Sequence, residues 1–294
     1  MKHSYLRLHT AILLAGATGL FGRLITIGEL PLVCFRVLLS FIILGIMMSI
    51  KKQLHAIPRH HLLMMMGCGV LLTTHWVFYY GSIKAANVSI GAVCFALVGF
   101  FTAILEPVIG RRGFSGREIL LSLLTVAGII LIFGFDTRYR FGIVLGCISS
   151  LLYTIFSIYC KRVQTSTGHS SSTMLLYELI GGGIVLILVL PIYSILFPDV
   201  KIFPDAHDIG LLLLFAAVFT VVPFLLQLQA LRTISAFTVN LSYNLEPVYT
   251  ILLAIIIFNE SSELSSAFWV GVLLIILSVV LQTILSIYSK KNRQ

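Results

Sequence analysis

The sequence predicts an all-α integral membrane protein of about ten transmembrane helices. Three observations carry that reading: the composition, the long apolar runs and the placement of the basic residues. Of 294 residues, 59% are hydrophobic and 11% charged, against roughly 25% charged in soluble domains. Mean hydropathy is +1.05. No soluble globule of this size can bury so much apolar surface, and the low charge excludes a disordered chain. At about 20 residues per spanning helix, apolar runs fall at about 10–28, 31–50, 61–81, 88–109, 117–135, 141–160, 172–197, 209–228, 236–258 and 264–287. Residues 211–218 show no alternation of polar and apolar positions, which excludes a membrane barrel. The first run is interrupted by Arg23 and lacks a small-residue cleavage site, so it reads as a span and not as a cleaved signal.

The net charge of +9 is explained by topology. With a cytoplasmic N-terminus and alternating spans, only Lys84, Arg138, Arg140 and Lys201 fall outside. Arg23 and Arg36 stay within spans, and every other Lys and Arg falls inside, as positive-inside bias requires. Both termini are therefore placed in the cytoplasm, the chain in the inner (plasma) membrane, and no nucleic-acid partner is implied. The five cysteines (Cys34, Cys68, Cys94, Cys147 and Cys160) lie in apolar runs without a C-x-x-C pair. That pattern suggests neither a disulfide framework nor a zinc site. His60-His61 lacks carboxylate or thiol neighbours in sequence, no Walker lysine motif occurs, and neither metal nor cofactor is expected.

A shift of 148 residues lays Ile83-Lys84 on Leu231-Arg232, Leu97 on Leu245, Thr102 on Thr250 and Arg112 on Glu260. A shift of 142 lays Phe35-Arg36 on Tyr177-Glu178. Each half holds five spans, an odd number, so the second half must insert upside down. Matched loops then face opposite compartments, which accounts for Arg112 inside against Glu260 outside. Such inverted repeats commonly meet around a site near the bilayer midplane in secondary transporters.

The second half carries Ala230-Leu231-Arg232-Thr233-Ile234-Ser235-Ala236, then Leu245-Glu246-Pro247-Val248, then an aliphatic run closing on Asn259-Glu260. The first half has Arg36 early in its second span, in Cys34-Phe35-Arg36-Val37. In these motifs and their order the chain resembles the EamA branch of the drug/metabolite transporter superfamily, over essentially its whole length. The resemblance implies two five-helix repeats, at 8–136 and 140–288, and transport of small organic molecules such as amino acids, often outward. The first half departs from the pattern: its Leu105-Glu106-Pro107 lies further along than Leu97-Val98-Gly99, which occupies the matched position. Glu106 does not simply inherit the place of Glu246.

Charge within a bilayer costs about 2.5–3.5 kcal/mol on insertion scales, so intramembrane ionisable groups are the first functional candidates. Arg23 and Arg36 lie near the outer ends of their spans. They either snorkel to the interface, with one pairing Glu29, or hold an anion or gate the outer mouth. Glu178, followed by Gly181-Gly182-Gly183, either binds a cation or proton or pairs with Lys161 or Arg162. Along span nine, at 100° per residue, Asn240, Tyr243, Asn244 and Pro247 share one stripe, while Ser242, Glu246 and Tyr249 share the opposite one. A helix polar on two sides belongs inside the bundle. Its first stripe is a substrate surface or a set of interhelical hydrogen bonds, and Glu246 a coupling carboxyl or a structural one.

In span three, His75, Trp76, Tyr79 and Tyr80 form either an outer aromatic belt or a substrate vestibule. The 148-residue shift places Pro223 and Gln227 of span eight opposite His75 and Tyr79. Ser149, Tyr153 and Ser157 make a polar stripe on span six, while Gly16, Gly19 and Gly22 suit close packing, within the chain or in a homodimer. The expected substrate-binding set is thus Arg36, His75, Trp76, Tyr79, Tyr153, Gln227, Asn240, Tyr243 and Asn244, with Arg23, Glu178 and Glu246 for coupling or gating. The expected function is secondary active transport by alternating access, through a cavity lined by spans one, three, four, six, eight and nine. The substrate gradient, a proton or an exchange substrate drives it. A channel or lipid scramblase would need a continuous polar path, and a membrane-embedded enzyme a catalytic cluster at one boundary.

Overall fold

The computed structural model describes residues 2–110, 113–135, 137–234, 236–243 and 245–291, and every regular element among them is helical. The helices are α1 (Lys2–Gly16), α2 (Thr18–Leu24), α3 (Glu29–Ile50), α4 (Arg59–Ala85), α5 (Val88–Phe95), α6 (Leu97–Gly110) and α7 (Gly116–Phe135). They continue as α8 (Arg140–Thr167), α9 (Ser171–Leu196), α10 (Ala206–Ala216), α11 (Val222–Leu231), α12 (Ala236–Tyr243), α13 (Glu246–Phe258) and α14 (Ser266–Lys291). Six stretches are long and apolar enough to cross a membrane: 29–50, 59–85, 88–109, 137–167, 171–196 and 206–231. Shorter apolar helical stretches lie at 119–132, 246–258 and 266–278. On α3, Leu38, Ile42, Ile46 and Ile50 are exposed at i, i+4 spacing while Val33, Val37, Leu44 and Met48 are buried. An exposed stripe so apolar is compatible with lipid and not with water.

Local chemistry sets the helix ends. The Asn87, Ser170 and Asp205 side chains accept from the backbone N–H of Ile90, Thr173 and Asp208, capping α5, α9 and α10, as N-cap residues do. Gly168, at φ +68°, ends α8 in the left-handed region, where a side chain would be strained.

Four of the apolar runs expected as continuous spans are interrupted. Span one breaks at Ala17, span four at Ala96, span eight through a π-helical turn at Ala217–Val221, and span nine between α12 and α13. Hydroxyl groups meet the freed carbonyls: Thr250 donates to Gly16 (2.8 Å), Ser150 to Cys94 (2.8 Å) and Thr220 to Phe215 (2.9 Å). Without water, only such neighbours can satisfy an interrupted backbone. Pro223 and Pro247 lie in the first turns of α11 and α13, where no intrahelical N–H is required. Pro107 and Pro191 are interior to their helices.

Helix α4 is the central element, packed most extensively on α8 and α9, while α7 and α14 form a lateral pair. The α4–α9 crossing is a backbone contact. A Cβ at Gly69 would collide with the backbone of Glu178, and one at Gly181 with that of Met66. Gly182 likewise abuts the Gly69 carbonyl and Thr73. Gly16, Gly19 and Gly22 press on Tyr249, Thr250 and Tyr80, so the small-residue face of span one packs within the chain.

Two carboxylates tie the halves together at one end of the bundle. Glu260, fully buried, pairs with Arg23 (2.8 Å) and accepts from the Val88 and Ser89 amides and the Ser89 hydroxyl. The negative charge sits on the N-terminus of α5, where the helix dipole favours it. Glu29, expected to pair with one of Arg23 and Arg36, instead accepts from the Tyr193 hydroxyl, and the turn after α13 carries Glu260 to Arg23 at the end of α2. Asp208 accepts from the Thr26 amide and hydroxyl and pairs with Lys201 (3.1 Å). The neighbouring contact with Lys201 also holds the Asp205 carboxyl below its ordinary range.

Gly69→Ala is expected to destabilise the protein by about 1–3 kcal/mol, the usual cost of overpacking. Gly45, with open space where its Cβ would lie, should tolerate alanine; thermal unfolding in detergent compares the two. Glu260→Ala leaves the buried Val88 and Ser89 amides without their acceptor and should cost about 1–3 kcal/mol, read as a lowered unfolding temperature.

Candidate functional site

The helix interruptions frame a buried cavity in the middle of the bundle. Its lining comes from Ala15 and Thr18 of span one, Arg36, the α4 group His75, Trp76, Tyr79 and Tyr80, then Phe95 and Tyr153. Phe219, Pro223, Phe224 and Gln227 of span eight and Tyr243 and Glu246 of span nine complete it. The spans expected to line a cavity are present, with span two added through Arg36. The cavity measures about 30 Å³, room for about two waters and less than any organic metabolite needs.

Arg36 is the strongest charge in this cavity and is only 1% exposed. Its guanidinium carbon sits 3.7 Å from the Trp76 ring centroid and 4.2 Å from that of Phe215, a stacking that favours a desolvated cation. Nε donates to Thr220 (2.8 Å) and Nη1 to Tyr80 (3.0 Å). The π-helical turn places the Thr220 hydroxyl, and two donated bonds leave part of the five-donor fork for a ligand. Arg36 therefore does not snorkel to the interface. The aromatic group of α4 is likewise buried and forms no outer belt, because α4 is surrounded by other helices where a belt needs an exposed face.

The buried Glu246 carboxyl lines the same cavity. No ion pair joins it to Arg36, and no hydrogen bond to its carboxyl forms among the described residues. Sequence periodicity puts Glu246 and Tyr243 on opposite stripes, yet both line the cavity. The interruption between α12 and α13 breaks the 100° progression and turns the two side chains to the same space.

A polar chain borders the rest. The Gln227 amide donates to the Tyr153 oxygen (2.8 Å), and the Tyr243 hydroxyl donates to the Gln227 oxygen (3.1 Å). His75 Nδ1 meets the Ser149 hydroxyl (2.8 Å) and carbonyl (2.9 Å), so Nε2 is the ring nitrogen left for a ligand. His75, Phe95, Tyr153 and Tyr243 pack ring against ring, with centroids 4.9–5.9 Å apart for successive pairs. Arg36, His75, Trp76, Tyr79, Tyr153, Gln227, Tyr243 and Glu246 are thus brought together.

Three expected site residues, Asn240, Arg23 and Glu178, stand elsewhere. Asn240 accepts from Ser157 (2.7 Å) and donates to Thr102 (3.0 Å); its amide is used between α6, α8 and α12 and does not line the cavity. Asn244 lies outside the described residues. Arg23 is spent on Glu260 at the bundle end. It borders a separate open recess of about 390 Å³ with Gly22, Ile83, Lys84, Ala86 and Asn87. Glu178 is buried against Cys160, whose thiol donates to it at 3.2 Å. It pairs with neither Lys161 nor Arg162, since Lys161 turns to the Leu231 carbonyl. Sequence reasoning missed Thr18, Phe95, Phe219 and Phe224, apolar or small groups indistinguishable in sequence from lipid-facing ones. Thr220 was also missed, and the π-helical turn that aims it has no simple sequence signal.

Comparison with known proteins fits this architecture. A solved crystal structure covers 96% of this chain and 98% of its own, with a TM-score of 0.69 at 15% identity; the two share a fold. No curated protein sequence matches the chain. The EamA-like transporter family matches residues 4–134 and again 140–284. The chain is therefore a multi-pass membrane protein with a two-repeat architecture, and it belongs to the EamA-like transporter family, within the drug/metabolite transporter superfamily.

Proposed function

We propose that the protein is a secondary active transporter that carries small organic metabolites such as amino acids, probed first as an exporter, by alternating access. The observation that carries this reading is the presence of Arg36 and Glu246, without an ion pair between them, in the lining of one buried aromatic cavity. A cation and a carboxyl facing the same space suit a zwitterion: its carboxylate meets the free guanidinium donors and its ammonium meets Glu246. The rings of Trp76, Tyr79, Tyr153 and Phe224 receive the apolar part.

The contracted volume supports a moving carrier over a static pore, since a metabolite enters only when surrounding helices separate. Ten spans, arranged as two five-helix repeats of opposite insertion, supply the moving parts. The two matches of the family model, at 4–134 and 140–284, support that pairing. The basic-residue bias supports an inner-membrane location with both termini cytoplasmic. Glu246 is the candidate proton carrier, since it alone among the acidic groups lines the cavity beside Arg36. A proton and the substrate ammonium would then compete for one carboxyl, which couples their movements.

The test begins with thermal-shift screening of the purified protein against zwitterionic amino acids, organic acids and amines, followed by counterflow of hits in proteoliposomes. A stabilising zwitterion with saturable counterflow is expected; flux that rises linearly with concentration would instead mark a channel. Arg36→Ala should weaken substrate binding roughly 10- to 100-fold, as loss of a hydrogen bond to a charged group predicts. Glu246→Gln should weaken zwitterion binding and make the remaining counterflow insensitive to an imposed proton gradient. Retention of a response to that gradient would remove Glu246 from the coupling step.

A further inference from the structure

Away from the cavity, three helices bring Cys68 of α4, Cys160 of α8 and Glu178 of α9 together. Their two sulfur atoms and one carboxylate oxygen all lie within 4.8 Å of one another, and all three residues are buried. The Cys160 thiol donates to Glu178 Oε1 at 3.2 Å, whereas Glu178 Oε2 has no hydrogen-bond partner despite being sealed from solvent. Such an orphaned oxygen is uncommon in a settled interior. Neither Lys161 nor Arg162 turns to neutralise it. We propose that Cys68, Cys160 and Glu178 bind a single zinc-class divalent cation.

The donor set selects the ion. Two thiolates and the Glu178 carboxylate would supply three negative charges to a dication, leaving the site at a net −1, and a sulfur pair with one oxygen suits the borderline softness of zinc and its congener cadmium; magnesium or calcium would require an oxygen shell. On binding, each thiol gives up its proton and the sulfur lone pair forms the metal bond. In a tetrahedral site with zinc–sulfur bonds of about 2.3 Å, neighbouring ligand atoms lie roughly 3.5–3.8 Å apart. The three groups therefore need to close by about 1 Å at most, and the fourth position remains for water.

The local backbone is built for this approach. Gly69 follows Cys68 and lies directly against the Glu178 backbone, and Gly181 and Gly182 maintain the same contact one turn along. No spacing motif announces the site, because its ligands come one from each helix, from both sides of the repeat boundary. A bound ion would staple α4 of the first matched segment to α8 and α9 of the second.

The test uses full-length, reduced, metal-free protein in detergent, titrated with cadmium chloride. One equivalent is expected to produce cadmium–thiolate ultraviolet absorption and to raise the unfolding temperature. Cys68→Ser and Cys160→Ser should each abolish both signals, while Cys94→Ala retains them. X-ray absorption at the cadmium edge, which needs no variant, should show two sulfur neighbours and at least one oxygen. Absence of thiolate absorption in the native protein, its persistence in Cys68→Ser, or an all-oxygen shell would overturn the proposal.

Discussion

Hydrocarbon offers no water to a broken helix, and this constraint organises the structure. Each interruption of a membrane-length helix leaves carbonyls that only another part of the protein can satisfy. Thr250, Ser150 and Thr220 supply hydroxyls at three of them. These partners fix where the breaks are tolerated, and the breaks determine which side chains turn inward. Glu246 reaches the cavity because α13 starts anew after α12, and Thr220 reaches Arg36 because the backbone there widens to a π-helical turn.

Burial of Arg36 follows the same logic. A guanidinium in the interior needs both an apolar seat for its faces and acceptors for its edge. Trp76 and Phe215 provide the first, Thr220 and Tyr80 the second. The donors that remain unused are the cavity's principal polar resource. Glu246 lines the same cavity without forming an ion pair with Arg36. Asn240 shows the opposite outcome: with both ends of its amide occupied, it joins helices and offers nothing to a ligand.

Polar links between the two matched segments surround the cavity, as in Arg36–Thr220, His75–Ser149 and Asn240–Thr102, and also lie at both ends of the bundle. At one end Glu260 and Asp208 hold α2, the following turn and α5. At the other, Thr233 bonds Ser4 and His61 meets His169. The cavity lies between these ties.

Composition and apolar run length were sufficient to define an all-helical membrane chain, because the solvent demanded by such a surface leaves few alternatives. The 148-residue offset and the motifs around Leu245-Glu246-Pro247 carried the family and the repeat. Residue type and periodicity also singled out Arg36, His75, Tyr153 and Gln227, since polar groups stand out against an apolar background. Periodicity failed at span nine, where a helical wheel presumes an unbroken helix, and it could not name Glu260 as the partner of Arg23. Which of two buried polar residues faces a cavity and which is consumed by a neighbour depends on backbone breaks and on contacts between distant segments. Those were decided only by tertiary packing, as were the meeting of Cys68, Cys160 and Glu178 and the contraction of the cavity.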